Sequence, residues 1–191
     1  VLSDREIESM VRIVQGDITD LPHLIRTIME HRVERIIHTA ALLTLEADAN
    51  PLVALKVNCE GTLCVFEAAR ILGLKKVVWS SSNSVYGPPE RYPQKFIPND
   101  AMHDPQNIYA ATKSFGEAGA NHYFEQYGVD ITGIRYQTVY GVGQRRGVFG
   151  AVVRELVLNP ALGKPGRVPY DDALIGWSYV DDPVRATVLA S

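Results

Sequence analysis

Apolar and polar positions follow two periods along the chain, and segments of one period alternate with segments of the other. Short β-branched runs predict strands, and longer stretches with apolar residues three or four apart predict helices. The predicted strands are 11–15, 35–41, 77–80 and 130–140, with a further short strand at 177–180. The predicted helices are 21–31, 51–72, 108–127, 148–158 and one from about Pro183. Because single helices separate the strands, the order predicts right-handed crossovers and an α/β fold with a doubly wound parallel sheet.

Capping residues define the ends of several of these helices. Asp20 is placed to cap the first helix, and Asn50 is followed by a proline suited to the first helical turn. Gly73 and Gly128 follow the last apolar positions of two helices and predict their C-terminal ends.

Residues at the carboxyl ends of the strands are the first candidates for function, because parallel α/β sheets bind ligands there. These ends are 16–17, 38–42, 80–86 and 136–141, and all are rich in small or polar residues. The segment 83–107 holds five prolines and predicts a long irregular loop, which is uncommon without a functional reason. A nucleotide crevice is the site that this pattern favours. His38 also lies at a strand end, and we interpret it as a packing residue rather than a base.

Composition narrows the classes of function. The chain has 191 residues, 46% hydrophobic and 21% charged, with a net charge of −3, as in an ordinary globular domain. Such a balance argues against a nucleic-acid partner, and the absence of a long apolar run argues against a membrane span. Cys59 and Cys64 are five residues apart on a predicted helix, so they suit neither a disulfide nor a metal pair. The scattered histidines give no metal-ligand spacing either, and we expect a cytoplasmic protein without a metal.

Tyr109 and Lys113 lie four residues apart at the start of a predicted helix, 27 residues after Ser82. Residues at this spacing share a helix face. A positive charge about 5 Å from a phenol, at an effective dielectric near 20, favours the phenolate by about 3 kcal/mol. That equals roughly two pKa units, enough for Tyr109 to act as a proton shuttle while Ser82 holds a substrate oxygen.

Motifs spread over nearly the whole chain strengthen this interpretation. Together they resemble an extended short-chain dehydrogenase/reductase of the NAD-dependent epimerase/dehydratase family, in the family's order. The matching segments are 16–20 (GDITD), 38–41 (HTAA), 58–62 (NCEGT), 80–87 (SSSNSVYG), 109–113 (YAATK), 135–136 (RY), 139–141 (VYG) and 179–182 (YVDD).

The resemblance implies a Rossmann-like fold and a role for each matching residue. It makes Tyr109 the acid/base, Lys113 the cation that binds the ribose and lowers the pKa of Tyr109, and Ser82 the partner of the substrate hydroxyl. Asp17 and Ile18 would contact the adenine, and Asn58 would lie beneath the nicotinamide. The residues assigned to the dinucleotide are Asp4, Asp17, Ile18, Ala40, Ala41, Leu42, Asn58, Ser80, Tyr109, Lys113 and Tyr136.

NAD and NADP both stay open as the cofactor. Asp4 at a strand end would take the ribose hydroxyls of NAD, whereas the adjacent Arg5 could accept the phosphate of NADP. Of the two cofactors, the sequence slightly favours NAD.

The sequence departs from the family pattern in two places. No glycine-rich phosphate-binding turn precedes the first predicted strand, and the glycines of 141–147 are spaced G-x-G-x-x-x-G. Thr138 stands where sugar-nucleotide enzymes of the family usually carry Asn. We therefore expect residues 1–141 to form a dinucleotide-binding domain that lacks its first βα unit. Residues 142–174 would be the start of a small substrate-binding region, and 175–191 would return to the main domain.

The predicted function is NAD(P)-dependent hydride transfer, of the oxidoreductase/epimerase type, at a hydroxyl-bearing carbon of a small molecule, for example a sugar or a sugar nucleotide. A sugar-nucleotide epimerase or dehydratase is the alternative within enzymes. A dinucleotide-sensing protein without catalysis is the alternative of another class. Gly116 and Ala120 on the Tyr109 helix suggest close helix packing, and the resemblance favours a homodimer.

Overall fold

Three parallel strands form the centre of the fold. The computed structural model describes residues 10–92, 97–142, 150, 152–167 and 176–191. Strands β1 (Arg35–His38), β2 (Lys76–Ser82) and β3 (Ile131–Tyr136) lie side by side in that order, with β2 in the middle. A second parallel pair joins β4 (Thr138–Tyr140) to β5 (Trp177–Tyr179). The predicted α/β fold with parallel strands is confirmed.

Helices connect and cover the strands. The helices are α1 (Leu21–Glu30), α2 (Thr44–Ala49), α3 (Pro51–Ala54), α4 (Gly61–Leu72), α5 (Ile108–Tyr127), α6 (Asn159–Ala161) and α7 (Asp181–Ala190). Within the described ranges, two segments are π-helical, Leu55–Glu60 and Arg154–Leu158, and two are 3₁₀ turns, Asn83–Tyr86 and Pro89–Arg91. The first π segment joins α3 to α4 without a break. The predicted helix 51–72 is therefore continuous, but one turn of it is wider than an α-helix.

The hydrophobic core lies between the sheet and helices α4 and α5. Val77 and Trp79 of β2 point into it and are buried, together with Val65 and Phe66 of α4. The rings of Phe66 and Trp79 meet edge to face, with 6.0 Å between their centroids. Helix α5 can approach β2 closely because it carries Gly116, where a Cβ would lie 2.6 Å from Trp79 Cη2.

Helix α7 lies beside β3. Its Thr187 hydrogen-bonds the Tyr136 hydroxyl, and both residues line an apolar cavity of about 350 Å³ with Ile37, Val139 and Val188. In the sheet register Ser82 is the neighbour of Tyr136. The cavity therefore lies near the carboxyl end of the strands.

The prediction of a strand at 11–15 is wrong. Val11, Ile13 and Val14 are exposed, and the segment pairs with no strand among the described residues. Its β-branched pattern favours an extended chain, but a strand also needs a neighbour that accepts its backbone hydrogen bonds.

Three other boundaries differ from the predictions. Gln137 interrupts the predicted strand 130–140, so its two halves belong to different sheets. Helix α2 was not predicted, and α7 begins at Asp181 rather than near Pro183. The division at 141 and 174 stays a prediction. Asp4 and most of the glycine run 141–147 lie outside the described residues.

Candidate active site

Tyr109, Lys113 and Ser82 come together at the carboxyl end of β2. The Asn107 side chain caps α5 by accepting a hydrogen bond from the Ala110 amide at 2.8 Å, which places Tyr109 in the first helical turn. Lys113 follows one turn later, over the end of β2, and Ser82 is the last residue of that strand. The grouping predicted from the sequence is therefore present in the structure.

Lys113 is a buried cation, only 4% exposed. Its Nζ donates a hydrogen bond to the Ser80 carbonyl at 2.7 Å and lies 3.5 Å from Ser80 Oγ. The same atom lies 5.5 Å from the ring centroids of both Tyr109 and Trp79. No carboxylate of the described residues pairs with it. Burial lowers the pKa of Lys113 to about 8, so the side chain is still mostly protonated at neutral pH.

The pKa of the Tyr109 phenol is raised from its ordinary value, mainly by burial, and a hydrogen bond with Ser82 only partly opposes this. The direction is the opposite of the one predicted from the Tyr–Lys spacing. Burial disfavours the phenolate, and it disfavours the Lys113 ammonium in the same way. The Tyr109 phenol therefore keeps its proton at neutral pH, even with the Lys113 ammonium nearby.

Ser82 is fixed by the turn that follows it. Its Oγ accepts hydrogen bonds from the Ser84 amide at 3.2 Å and the Ser84 hydroxyl at 2.9 Å. The proton of the Ser82 hydroxyl can therefore be donated to another oxygen. A substrate hydroxyl or carbonyl near Tyr109 is a suitable acceptor.

Asn58 lies in the π-helical segment and joins two parts of the site. Its Oδ1 accepts from the Leu42 amide at 2.8 Å, and its Nδ2 donates to the Leu42 carbonyl and to Thr112 Oγ1. Thr112 in turn donates to the Tyr109 carbonyl at 2.7 Å. π-Helical turns are often found at functional sites, and here the turn lets one buried amide hold both the segment after β1 and helix α5. Contact of Asn58 with a dinucleotide stays a prediction.

The predicted adenine-side residues lie on a separate turn. Asp17 is exposed, and its carboxylate accepts two hydrogen bonds from Thr19, which lower its pKa. The Ile18 side chain packs towards the core over Gly61, whose missing Cβ would come within 2.6 Å of it. This turn therefore rests on the start of α4. Both Thr19 hydrogen bonds end at Asp17 Oδ1, and the Asp17 carbonyl accepts from the Asp20 amide at 3.0 Å, so Oδ2 of the exposed carboxylate is the atom that can meet a ligand.

Small side chains follow β1. Ala40 is exposed, and Ala41 and Leu42 are half-buried. Tyr136 at the end of β3 is also half-buried, with its hydroxyl bound to Thr187. Small residues at strand ends together with a buried ammonium that no carboxylate neutralises among the described residues fit the ribose hydroxyls and flat rings of a dinucleotide.

Sequence reasoning missed a network of polar side chains that lies behind these groups. Behind the site, the Glu117 carboxylate accepts hydrogen bonds from the side chains of both Ser81 and Arg135. Helical spacing could have identified Glu117, because it lies four residues after Lys113 and therefore on the same core-facing side of the helix. In the described residues, no group of three or more metal-ligating side chains is found, and no helix has the length and hydropathy needed to cross a bilayer.

Comparisons with known proteins agree with this geometry. The model of the NAD dependent epimerase/dehydratase family matches residues 2–191. UDP-glucose 4-epimerase of Mycolicibacterium smegmatis is 34% identical over 195 residues, covering 99% of this chain and 60% of that protein. The chain spans about two fifths of the length of UDP-glucuronate 4-epimerase 3 of Arabidopsis thaliana, with 31% identity over 180 residues.

Solved structures give the same fold. L-threonine dehydrogenase of Phytophthora infestans superposes with a TM-score of 0.83 at 30% identity, covering 92% of this chain and 57% of that one. The NAD complex of Thermus thermophilus UDP-glucose 4-epimerase gives a TM-score of 0.83 at 26% identity, covering 98% and 62%. With its parallel sheet, its Ser82–Tyr109–Lys113 grouping and a family match over 190 of its residues, the chain belongs to the NAD-dependent epimerase/dehydratase family.

Proposed function

We propose that this chain provides the NAD-binding and proton-transfer parts of an enzyme that acts at a hydroxyl-bearing carbon of a small molecule. The observation that carries the proposal is the half-buried Tyr109 phenol at the carboxyl end of β2, which is hydrogen-bonded with Ser82 and whose ring centroid lies 5.5 Å from the Lys113 ammonium. A sensor of dinucleotides needs no such proton-transfer group, so the geometry favours catalysis.

The residues divide the chemistry among them. NAD supplies a hydride acceptor and donor when it is bound. Ser82 donates a hydrogen bond to the substrate oxygen, and Tyr109 exchanges a proton with that oxygen as the carbon is oxidised or reduced. Lys113 holds ribose hydroxyls and favours the phenolate whenever Tyr109 has given up its proton. The raised pKa of Tyr109 means that the resting group is a proton donor, ready to protonate a carbonyl oxygen.

Two substrate classes are supported by the comparisons. UDP-sugar 4-epimerases are similar over nearly the whole chain, which favours a nucleotide sugar. L-Threonine dehydrogenases superpose equally well, which favours a small hydroxy amino acid. Turnover of UDP-glucose, UDP-glucuronate and L-threonine by the longest natural form of the chain, followed by product analysis and NADH absorbance, distinguishes the two.

Tyr109→Phe tests the proton-transfer role. The change keeps the ring and its packing and removes only the phenol oxygen. We expect turnover to fall by about 10²–10⁴-fold, the usual contribution of a positioned acid/base, while the Kd of NAD changes less than about threefold. Tyr92→Phe removes a phenol from the loop beyond the site and serves as the matched control. Retention of more than about a tenth of the wild-type turnover by Tyr109→Phe would refute the assignment.

We also propose that the chain forms a homodimer in the cytoplasm. Gly116 and Ala120 do not support this, because both face the chain's own core. The support is a groove of about 680 Å³ on α4, α5 and the first π segment, where Phe115 is 46% exposed beside Leu55. Lys56 and Glu60 lie one turn apart in this groove, a pattern that complements itself under two-fold symmetry. The cytoplasmic setting rests on two cysteines that form no disulfide.

Phe115→Glu tests the interface. In the longest natural form of the chain, a carboxylate at this position of the groove should convert a dimer to a monomer in light scattering coupled to gel filtration, with the far-UV spectrum unchanged. Phe124→Glu, an exposed position on the same helix but outside the groove, should leave the mass unchanged. A monomeric wild type at micromolar concentration would contradict the proposal.

A further inference from the structure

A carboxylate on helix α5 joins the two strands beside it, and the proposed chemistry does not use it directly. Glu117 lies four residues after Lys113 and eight after Tyr109 and is directed at the sheet. Its Oε1 accepts from Ser81 Oγ at 2.5 Å and from Arg135 Nε at 2.8 Å, and its Oε2 accepts from Arg135 Nη2 at 2.6 Å. Helix α5, β2 and β3 are thus joined through one side chain.

Arg135 carries the connection to the loop beyond Ser82. Its Nη1 donates to the Tyr86 hydroxyl and, at 2.7 Å, to the Asn99 carbonyl. Its guanidinium carbon lies 4.8 Å from the Tyr86 ring centroid. Tyr86 is buried and ends the 3₁₀ turn that starts after Ser82. The chain is therefore held immediately before Ser82, at Ser81, and again shortly after it, at Tyr86.

The charges of this network are well defined. Burial favours the neutral form of Glu117, but hydrogen bonds from Arg135 and Ser81 outweigh it, so the pKa of Glu117 lies below its usual value. A two-pronged Arg–carboxylate pair fixes direction as well as distance. His103 is the further titratable group that faces the pair, with its Nε2 3.3 Å from Glu117 Oε2. Glu117 is therefore an ionised and oriented anchor.

We infer that Glu117 is a positioning residue, which sets the distance between the Ser82 hydroxyl and the Tyr109 phenol by holding the Ser82 strand end against helix α5. The inference rests on the proposed function, because that distance matters only if both groups act on one substrate oxygen. Displacement of a reacting group by about 1 Å can cost roughly 10²-fold in rate, so a loosened anchor affects turnover before binding.

Glu117→Gln is the test, with Asp130→Asn as the matched control. Asp130 pairs with Lys76 at 2.6 Å and joins the same two strands at their opposite ends. We expect Glu117→Gln to lower kcat by about 10–100-fold, with KM and the Kd of NAD within about threefold. In a Tyr109→Phe background the same change should cost less than about threefold, because residues that act as a unit are not additive. If Glu117→Gln acted only by weakening the fold, it would lower kcat by the same factor in the Tyr109→Phe background as in the wild type.

Hydrogen exchange gives a readout that does not depend on turnover. Peptides covering 80–86 should exchange faster in Glu117→Gln, and peptides covering 35–41 should be unchanged. If the wild type turns over no candidate substrate, the proposed function fails, and the exchange result alone decides the inference. Unchanged exchange at 80–86, or kcat within threefold of wild type, would overturn it. If Glu117→Gln does not fold, Arg135→Lys, which keeps the charge but loses the two-pronged geometry, takes its place.

Discussion

Lys113 shows how one residue of the site opposes the stability of the fold. Its ammonium is buried against the carbonyl and hydroxyl oxygens of Ser80 and two aromatic rings, and no carboxylate of the described part of the chain pairs with it. Burial of a cation without an anionic partner is unfavourable, and the same burial lowers the pKa of Lys113. The function that we propose for Lys113 therefore has a cost in the free energy of unfolding.

Lys113→Met should make the isolated fold more stable at pH 7, by about 1–2 kcal/mol after loss of the Ser80 hydrogen bond. The pKa of Lys113 is about 8 in the folded state and 10.5 in the reference state, so the unfolded chain binds more protons between these values. The stability of the wild type therefore rises with pH across this window, by up to about 3 kcal/mol, and that of the variant does not. Urea titrations at pH 7 and 10.5 measure the difference. If the free energies of unfolding of the wild type and the variant differed by the same amount at both pH values, the interpretation of Lys113 as a buried charge would be wrong.

At the scale of elements, the close approach of α5 to β2 predicts whether an alanine at Gly116 raises or lowers the stability of the fold. Helix propensity alone predicts that Gly116→Ala stabilises α5 by about 1 kcal/mol. The added Cβ would instead meet the buried ring of Trp79 at 2.6 Å, and such overpacking costs about 1–3 kcal/mol. We therefore expect net destabilisation in thermal melts. Gly119→Ala is the comparison, since its Cβ would meet the end of the Leu63 side chain at 3.1 Å and the Phe66 ring at an ordinary contact distance of 3.8 Å. Equal effects of the two changes would contradict the packing argument.

The contact between β1 and α4 predicts the response to acid. His38 Nε2 lies 3.0 Å from Thr62 Oγ1, and burial lowers the pKa of His38 to about 4 from 6.5. The unfolded chain takes up this proton at a higher pH, so stability is lost as the pH falls from 6.5 to 4, by about 3 kcal/mol in total. His38→Gln should lose less stability over that range in urea titrations. His122→Gln, at an exposed helix position, should behave as the wild type, and a steeper loss for His38→Gln would refute the assignment.

For the whole molecule, the exposed side of β1 and α7 is the surface at which we expect self-association. Ile37, Val184 and Val188 are 48%, 54% and 61% exposed around the apolar cavity that Tyr136 lines. Among the described residues β1 pairs with β2 alone, and an unpaired strand edge beside apolar surface favours association. We expect the 191-residue chain alone to self-associate, and Val184→Lys with Val188→Glu to reduce its light scattering. A cooperative, monomeric melt of the unmodified chain above about 60 °C would contradict this.

The parts of the fold that sequence alone predicted depend on local signals. The strand 77–80 and the helix 108–127 carry their own period and caps, and both appear where expected. The strand at 11–15 failed because pairing depends on a distant neighbour. The sequence predicted that Ser82, Tyr109 and Lys113 lie together, but it did not predict the direction of the Tyr109 pKa shift, because burial is a property of the packed molecule. The Glu117–Arg135 network was missed because it joins residues 18 apart in sequence.

Trp79 gives the molecule an optical signal of its own. It is one of two tryptophans, and its indole is buried beneath the Lys113 ammonium, whereas Trp177 is 44% exposed. The emission of a buried indole lies to the blue of an exposed one and responds to a nearby charge. In a Trp177→Phe background, the remaining fluorescence would therefore report deprotonation of Lys113 and the arrival of a ligand beside it. Ligand screening could then proceed by direct titration before any substrate is identified.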